Sequence, residues 1–237
     1  MAKHVLITGF EPFGGEKVNP SELVARSFEG RLIAGRPLAV RVLPVETRNV
    51  RERLEHAVGE TSPDIVLCIG QAGGRSAMSI ERVAVNVLDF IQPDNAGVIR
   101  RNDPIVSGGP DARLSPFPFA QIVSAWAENG VPGYVSNSAG TYICNQTLYE
   151  ALGIAERVSP PIIAGFVHLP YLPEQAAALA PDRTPSTALD LMKRGMEILI
   201  ETVVPWVEQR TPDRGPARTT TKGPHMWIPR GVKEIER

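Results

Sequence analysis

The sequence predicts an α/β fold: a single three-layer α/β/α sandwich around a twisted, mostly parallel (mixed) sheet. Three observations predict it. Short, unbroken runs rich in Val and Ile recur along the chain, segments of helical period lie between them, and 43% hydrophobic residues in a chain of 237 suffice for one sizeable core. Strands covered on both faces read as continuous apolar runs, and parallel neighbours need helical crossovers between them.

In chain order, residues 4–8 read as the first strand, and Asn19-Pro20 has the cap-then-proline start of a helix. Residues 38–43 give the second strand. Residues 47–58 give a helix in which Val50, Leu54 and Val58 recur every fourth position, and residues 64–69 a third strand. Ile80, Arg82, Val83, Val85 and Val87 make residues 79–88 a further strand, after which residues 89–118, rich in Pro, Gly and Asp, form a long excursion. A helix over 119–129 ends at Gly130, residues 148–155 have helical spacing, and residues 162–167 are a late strand. Thr184-Pro185 opens a long helix striped by Leu189, Met192, Met196, Leu199 and Val203, which Pro205 bends or ends. The domain is therefore expected to occupy residues 1–210. Residues 211–237 form a carboxyl-terminal extension whose composition leaves it without order unless something such as a neighbouring subunit holds it.

The charge balance excludes several partners. Lys and Arg total 25 against 26 for Asp and Glu, so a net charge of -1 offers no field for nucleic acid or an anionic membrane. No apolar run approaches the roughly 20 residues of a membrane span. Two cysteines cannot build a disulfide framework, and the start lacks the charged-then-apolar pattern of a signal peptide, so a reducing cytoplasm is expected.

The two cysteines differ in setting. Cys68 lies inside Asp-Ile-Val-Leu-Cys-Ile-Gly, an apolar strand where a thiol acts as a small hydrophobe. Cys144 lies in Ser138-Ala139-Gly140-Thr141-Tyr142-Ile143-Cys144-Asn145, where a glycine-bearing turn meets a helical segment. It is either a small residue in a tight turn or a nucleophile at a helix amino terminus. In the second case the helix dipole lowers its pKa from about 8.5 toward neutrality and the free amides receive an oxyanion. His168 falls at the carboxyl end of its strand, the edge where open α/β sheets place ligands, and Cys with His is the minimum for thiol acyl transfer. A third group should orient the imidazole. Glu81, a carboxylate in a half-buried strand, is one candidate, with an ion pair to a neighbouring arginine as its ordinary alternative. Asp94, in turn chemistry, is an outer support. The Gly9 to Gly15 turn lacks both the lysine of a GxxxxGK[ST] loop and GxGxxG spacing, so a phosphate loop is a weak reading.

Taken together, several ordered blocks resemble the pyroglutamyl peptidase I family, also called pyrrolidone carboxyl peptidases, over about residues 4 to 205. These are Gly9-Phe10-Glu11-Pro12-Phe13-Gly14-Gly15, Gly70-Gln71-Ala72-Gly73-Gly74-Arg75, Glu81-Arg82-Val83-Ala84-Val85-Asn86, Pro93-Asp94-Asn95, the Cys144 block and Gly165-Phe166-Val167-His168-Leu169-Pro170. The resemblance implies a cysteine peptidase that needs no cofactor and no metal, acts on peptides with an amino-terminal pyroglutamate and assembles as a homotetramer. It implies Glu81, Cys144 and His168 as acid, nucleophile and base. It also implies Phe10 and Phe13 as walls for the flat lactam, the Gln71 backbone as its hydrogen-bonding partner, and the Tyr142 and Ile143 backbone beside the nucleophile. One position departs: Ile91 stands where the family usually has arginine, leaving a catalytically weakened pyroglutamyl-peptide binding protein as the alternative.

Overall fold

The computed structural model describes residues 4–179 and 183–210; the extension 211–237, and whatever holds it, lie outside the described residues. Among the described residues seven strands form the main sheet: β1 (Val5–Phe10), β2 (Leu32–Ile33), β3 (Arg36–Leu43), β4 (Ile65–Gln71), β5 (Met78–Glu81), β10 (Gly133–Ser136) and β11 (Ile163–Leu169). Their order is β10-β5-β11-β4-β1-β3-β2. The central β11-β4-β1-β3 block is parallel, whereas β5 runs antiparallel to β11 and β2 antiparallel to β3, so the expected mixed sheet is observed.

Among the described residues the helices are α1 (Pro20–Arg26), α2 (Val50–Thr61), α3 (Phe119–Glu128), α4 (Ile143–Arg157), α5 (Pro173–Leu179) and α6 (Leu189–Gln209). The pleat sorts the central strands onto two cores. Val5, Ile7, Ile65, Leu67, Ile69, Val167 and Leu169 face one core with residues of α1, α3 and α6. Leu6, Phe10, Val66, Cys68, Ala164 and Phe166 face the other with residues of α2 and α4. By the same alternation Gly70 and His168 continue the second face, beneath the start of α4.

Local chemistry fixes where α1 begins. The Asn19 side chain accepts from the Ser21 N–H at 3.0 Å, Pro20 occupies the first turn, and Ser21 Oγ accepts from the Phe10 N–H at 3.0 Å. Helix and strand meet closely only because residue 9 is glycine, since a Cβ there would lie 2.4 Å from the Ser21 carbonyl oxygen.

Three expectations need correction. The strand expected over 79–88 is three pieces: β5, then β6 (Val83–Val85) paired with β9 (Ala112–Leu114), then β7 (Leu88–Phe90) paired with β8 (Arg100–Asp103). Alternation continues through the break, but at Arg82 the chain leaves the sheet, its N–H bonded to Ser136 O and its carbonyl accepting from the Ser115 N–H. The long excursion is thus two small hairpin-like sheets. The last helix starts at Leu189 rather than at Thr184-Pro185, because Ser186 bridges to Tyr171 and the Thr187 N–H donates to Tyr171 O, holding that stretch extended. Pro205 lies inside that helix, which continues to Gln209.

Candidate active site

The sheet's register brings the expected residues together. His168 is the partner of Gly70 across the parallel β11–β4 pair and of Ser79 across the antiparallel β11–β5 pair. Glu81 pairs with Phe166, two residues before His168, so Glu81 and His168 are diagonal neighbours on one sheet face. Their side chains meet there, with His168 Nδ1 2.7 Å from Glu81 Oε1. Both are buried, Glu81 completely.

Cys144 arrives from the helix side. It is the second residue of α4, half-buried, and its Sγ rests against Gly70: a methyl group there would come within 2.9 Å of the sulfur and 2.8 Å of the Phe166 ring. Gly70 therefore provides the space through which the thiol reaches the strand edge carrying His168. The first amides of α4 have no intrahelical partner; the first bond in its entry turn joins the Gln146 N–H to Tyr142 O. Asn145, fully buried, anchors this turn by accepting from the Val85 N–H at 2.9 Å and donating to the carbonyls of Val85 and Val87 at 2.9 and 3.1 Å.

The electrostatics overturn one expectation. The thiol of Cys144 is not lowered toward neutrality; burial, and next the negative charge of Glu81, push it up to about 12 against weaker opposing pulls from Arg75 and its own backbone amide. His168 is held below its ordinary value, by burial first and by Arg75 less strongly, against the raising influence of Glu81. Glu81 is pushed up by burial, but His168 first, then Ser136 and Arg75, prevail and its pKa is lowered. At neutral pH the resting site therefore holds a thiol, a neutral imidazole and a carboxylate. With Glu81 ionised, the imidazole proton sits on Nδ1, leaving Nε2 as the free acceptor.

Beside the thiol is a small, mainly apolar pocket of about 300 Å³, its open mouth included, lined by Phe10, Phe13, Asn19, Val45, Gln71, Tyr142, Ile143 and Cys144. All five expected substrate residues are among them. The Tyr142 ring packs against Phe13 at 6.1 Å and edge-on to Phe90 at 4.6 Å, while its hydroxyl donates to Pro93 O at 3.3 Å, so the excursion after β7 walls the pocket. The Gln71 side chain accepts from Gln175 Nε2 at 2.9 Å.

Asp94 has a different place from the outer support expected of it. Its carboxylate accepts from the Thr47 N–H and hydroxyl at 2.9 and 2.5 Å and from the N–H groups of Ala96 and Val98 at 3.0 and 2.8 Å. It ties the excursion to the loop after β3. Ile91 is 67% exposed, turned to solvent. Asn19, Val45, Gly70 and Asn145 belong to the site without having been singled out. Only three-dimensional packing reveals them, although the cap signal at Asn19 was legible. Among the described residues no cluster of His, Cys, Asp or Glu is placed to hold a metal ion, and no helix is long and apolar enough to cross a membrane.

Comparison with known proteins gives one consistent result. The pyroglutamyl peptidase family model matches residues 3–205. The pyrrolidone-carboxylate peptidase of Coprothermobacter proteolyticus is 43% identical over 205 residues, covering 86% of this chain and 99% of that one. That of Thermococcus onnurineus is 46% identical over 198 residues, covering 84% and 97%. Among solved structures, a mutant pyrrolidone carboxyl peptidase from Pyrococcus furiosus superposes with a TM-score of 0.83 at 40% identity over 86% of this chain and 99% of that one. Bacillus amyloliquefaciens pyroglutamyl peptidase I gives 0.81 at 36% identity over 85% and 96%.

Proposed function

The chain belongs to the pyroglutamyl peptidase family, and from that premise we propose that Cys144, His168 and Glu81 carry out its hydrolysis of the bond after an amino-terminal pyroglutamate. It is a cysteine peptidase. The observation that carries the assignment of residues is the buried 2.7 Å contact between His168 Nδ1 and Glu81, on the strand edge that the Cys144 sulfur approaches over Gly70.

The pocket suits the substrate. Pyroglutamate is a flat lactam with no ammonium group, so its recognition calls for apolar walls and a few hydrogen bonds rather than a carboxylate. Phe10, Phe13 and Tyr142 line the pocket as walls, and, as the family resemblance implies, the main chain at Gln71 and Ile143 supplies the polar groups. His168 Nε2 takes the thiol proton as Cys144 Sγ attacks the acyl carbonyl. Because the resting thiol is neutral, proton removal accompanies attack. The free amides at the start of α4 receive the oxyanion, a contribution of about 3 kcal/mol where one donor is well aimed. The C–N bond breaks, the peptide amine leaves with the proton from His168, and water then hydrolyses the thioester to release pyroglutamate.

The working form is a reduced, cytoplasmic homotetramer built from the 1–210 domain, a reading tested by sedimentation of the full chain and of residues 1–210. A pyroglutamyl-coumarin amide tests the function itself. The wild type is expected to release the fluorophore in reducing buffer, and Cys144→Ala to lose at least about 10⁴-fold in kcat. An inactive wild type would instead support the binding-protein alternative that Ile91 raised.

A further inference from the structure

We propose that Arg75, in the loop between β4 and β5, is a positioning residue for this reaction, its guanidinium joining Glu81 to the loop that leads into the Cys144 helix. Arg75 Nη1 lies 2.7 Å from Glu81 Oε1, the oxygen that also receives His168 Nδ1. The same nitrogen bonds Ser79 Oγ, while Nη2 reaches Ser138 O at 3.4 Å, six residues before the nucleophile. A planar fork can hold two acceptors in one plane, which an ammonium cannot. Ser136 Oγ, opposite Glu81 on β10, lies 3.1 Å from Ser138 O and also helps hold the Glu81 carboxylate low, so Ser136 and Arg75 both tie Glu81 to the segment that precedes Cys144. Arg75 and His168 share Oε1, so the guanidinium fixes the oxygen that faces the imidazole.

Arg75 also acts by charge. The titratable groups facing one another here are Arg75 from its loop, Glu81 from β5, His168 from β11 and Cys144 from α4, with Cys68 behind on β4 and Tyr142 beside the thiol. Arg75 favours the carboxylate of Glu81 and the neutral form of His168, the states from which the reaction starts, and it opposes the rise of the Cys144 thiol, easing its deprotonation during attack. Without it, both Glu81 and His168 bind a proton at higher pH. Arg75 does not line the lactam pocket, so its removal should leave substrate binding in place.

This inference rests on the peptidase reading and is tested with pH profiles of the full-length enzyme on a pyroglutamyl-coumarin amide. In Arg75→Met the acid limb of kcat/KM is expected to move up by about one pH unit, with kcat at neutral pH falling about 10- to 100-fold and KM changing less than about twofold. Arg75→Gln, made in case the methionine variant does not fold, should shift the limb in the same direction. Arg75→Lys keeps the charge but loses the fork, so the limb stays in place while kcat falls. The pH dependence of Cys144 alkylation by iodoacetamide should report the same shift without turnover. An unmoved acid limb in both neutral variants, with activity lowered evenly across pH, would make Arg75 merely structural. Inactivity of the wild type, or activity in Cys144→Ala, would instead overturn the peptidase reading.

Discussion

The two thiols of this chain are both pushed up by burial, yet they have opposite prospects. Cys68 is fully buried in β4, pushed up to about 12 by burial, with a smaller downward pull from Thr8 across the strand pair. Cys144 is also pushed up to about 12 and touches the same core, yet it is half-buried at the core's rim. Two positions along β4 separate Cys68 from Gly70, over which the Cys144 sulfur sits. A resting pKa does not distinguish them; access and an adjoining base do. Cys68 has neither, whereas Cys144 lines the pocket and its sulfur sits over Gly70, the partner of His168 across the β11–β4 pair.

Alkylation should break this equivalence most completely. Iodoacetamide is expected to modify Cys144 and abolish peptidase activity while leaving Cys68 untouched in the folded protein, as peptide mass mapping would show. Modification of Cys68 first would overturn the comparison. Gly70→Ala comes next, because its methyl group would meet both the Cys144 sulfur and Phe166. A loss of about 100-fold in kcat and 1–3 kcal/mol of stability, about the cost of overpacking a core, should be measurable by kinetics and denaturant unfolding. Cys68→Ala should lower stability by about 1–2 kcal/mol and leave kcat/KM within about twofold of the wild type.

The smallest effect expected is on acid stability. His168 is held neutral in the fold below its ordinary pKa of 6.5, so below pH 6.5 the unfolded chain takes up a proton that the folded chain resists. Stability from this residue is complete above pH 6.5 and is lost as the pH falls toward the folded value. Glu81, lowered in the fold, adds a loss of the same sign at still lower pH, below its ordinary value of 4.5. Urea unfolding of wild type and His168→Gln should therefore converge on acidification, and parallel curves would show that the imidazole is not held neutral.

Much of this could be read without coordinates. Apolar runs marked β1, β3, β4 and β11, because strands covered on both faces need continuous hydrophobicity. Asn19-Pro20 marked α1, because a cap and a fixed φ act locally. What the periodic pattern missed at Arg82 was a change of hydrogen-bonding partner within an unbroken alternation. At Thr184-Pro185 a good helix-start signal lost to the extended pairing with Tyr171. Helix α5 and the short strands β2 and β10 were too brief to leave a pattern.

The amino-acid sequence by itself determined the layered fold, the contrast between a strand cysteine and a helix-start cysteine, and the position of His168 at a strand's carboxyl end. These follow from short-range rules of periodicity and capping. The acid at Glu81, by contrast, was suggested by family likeness and found its physical basis only in the antiparallel register of β5 on β11. The elevated thiol likewise depends on tertiary structure: a helix start alone would lower its pKa, and only packing reveals that burial and the nearby carboxylate outweigh that pull. Register and desolvation arise from contacts between residues far apart in the chain, and no local pattern encodes them.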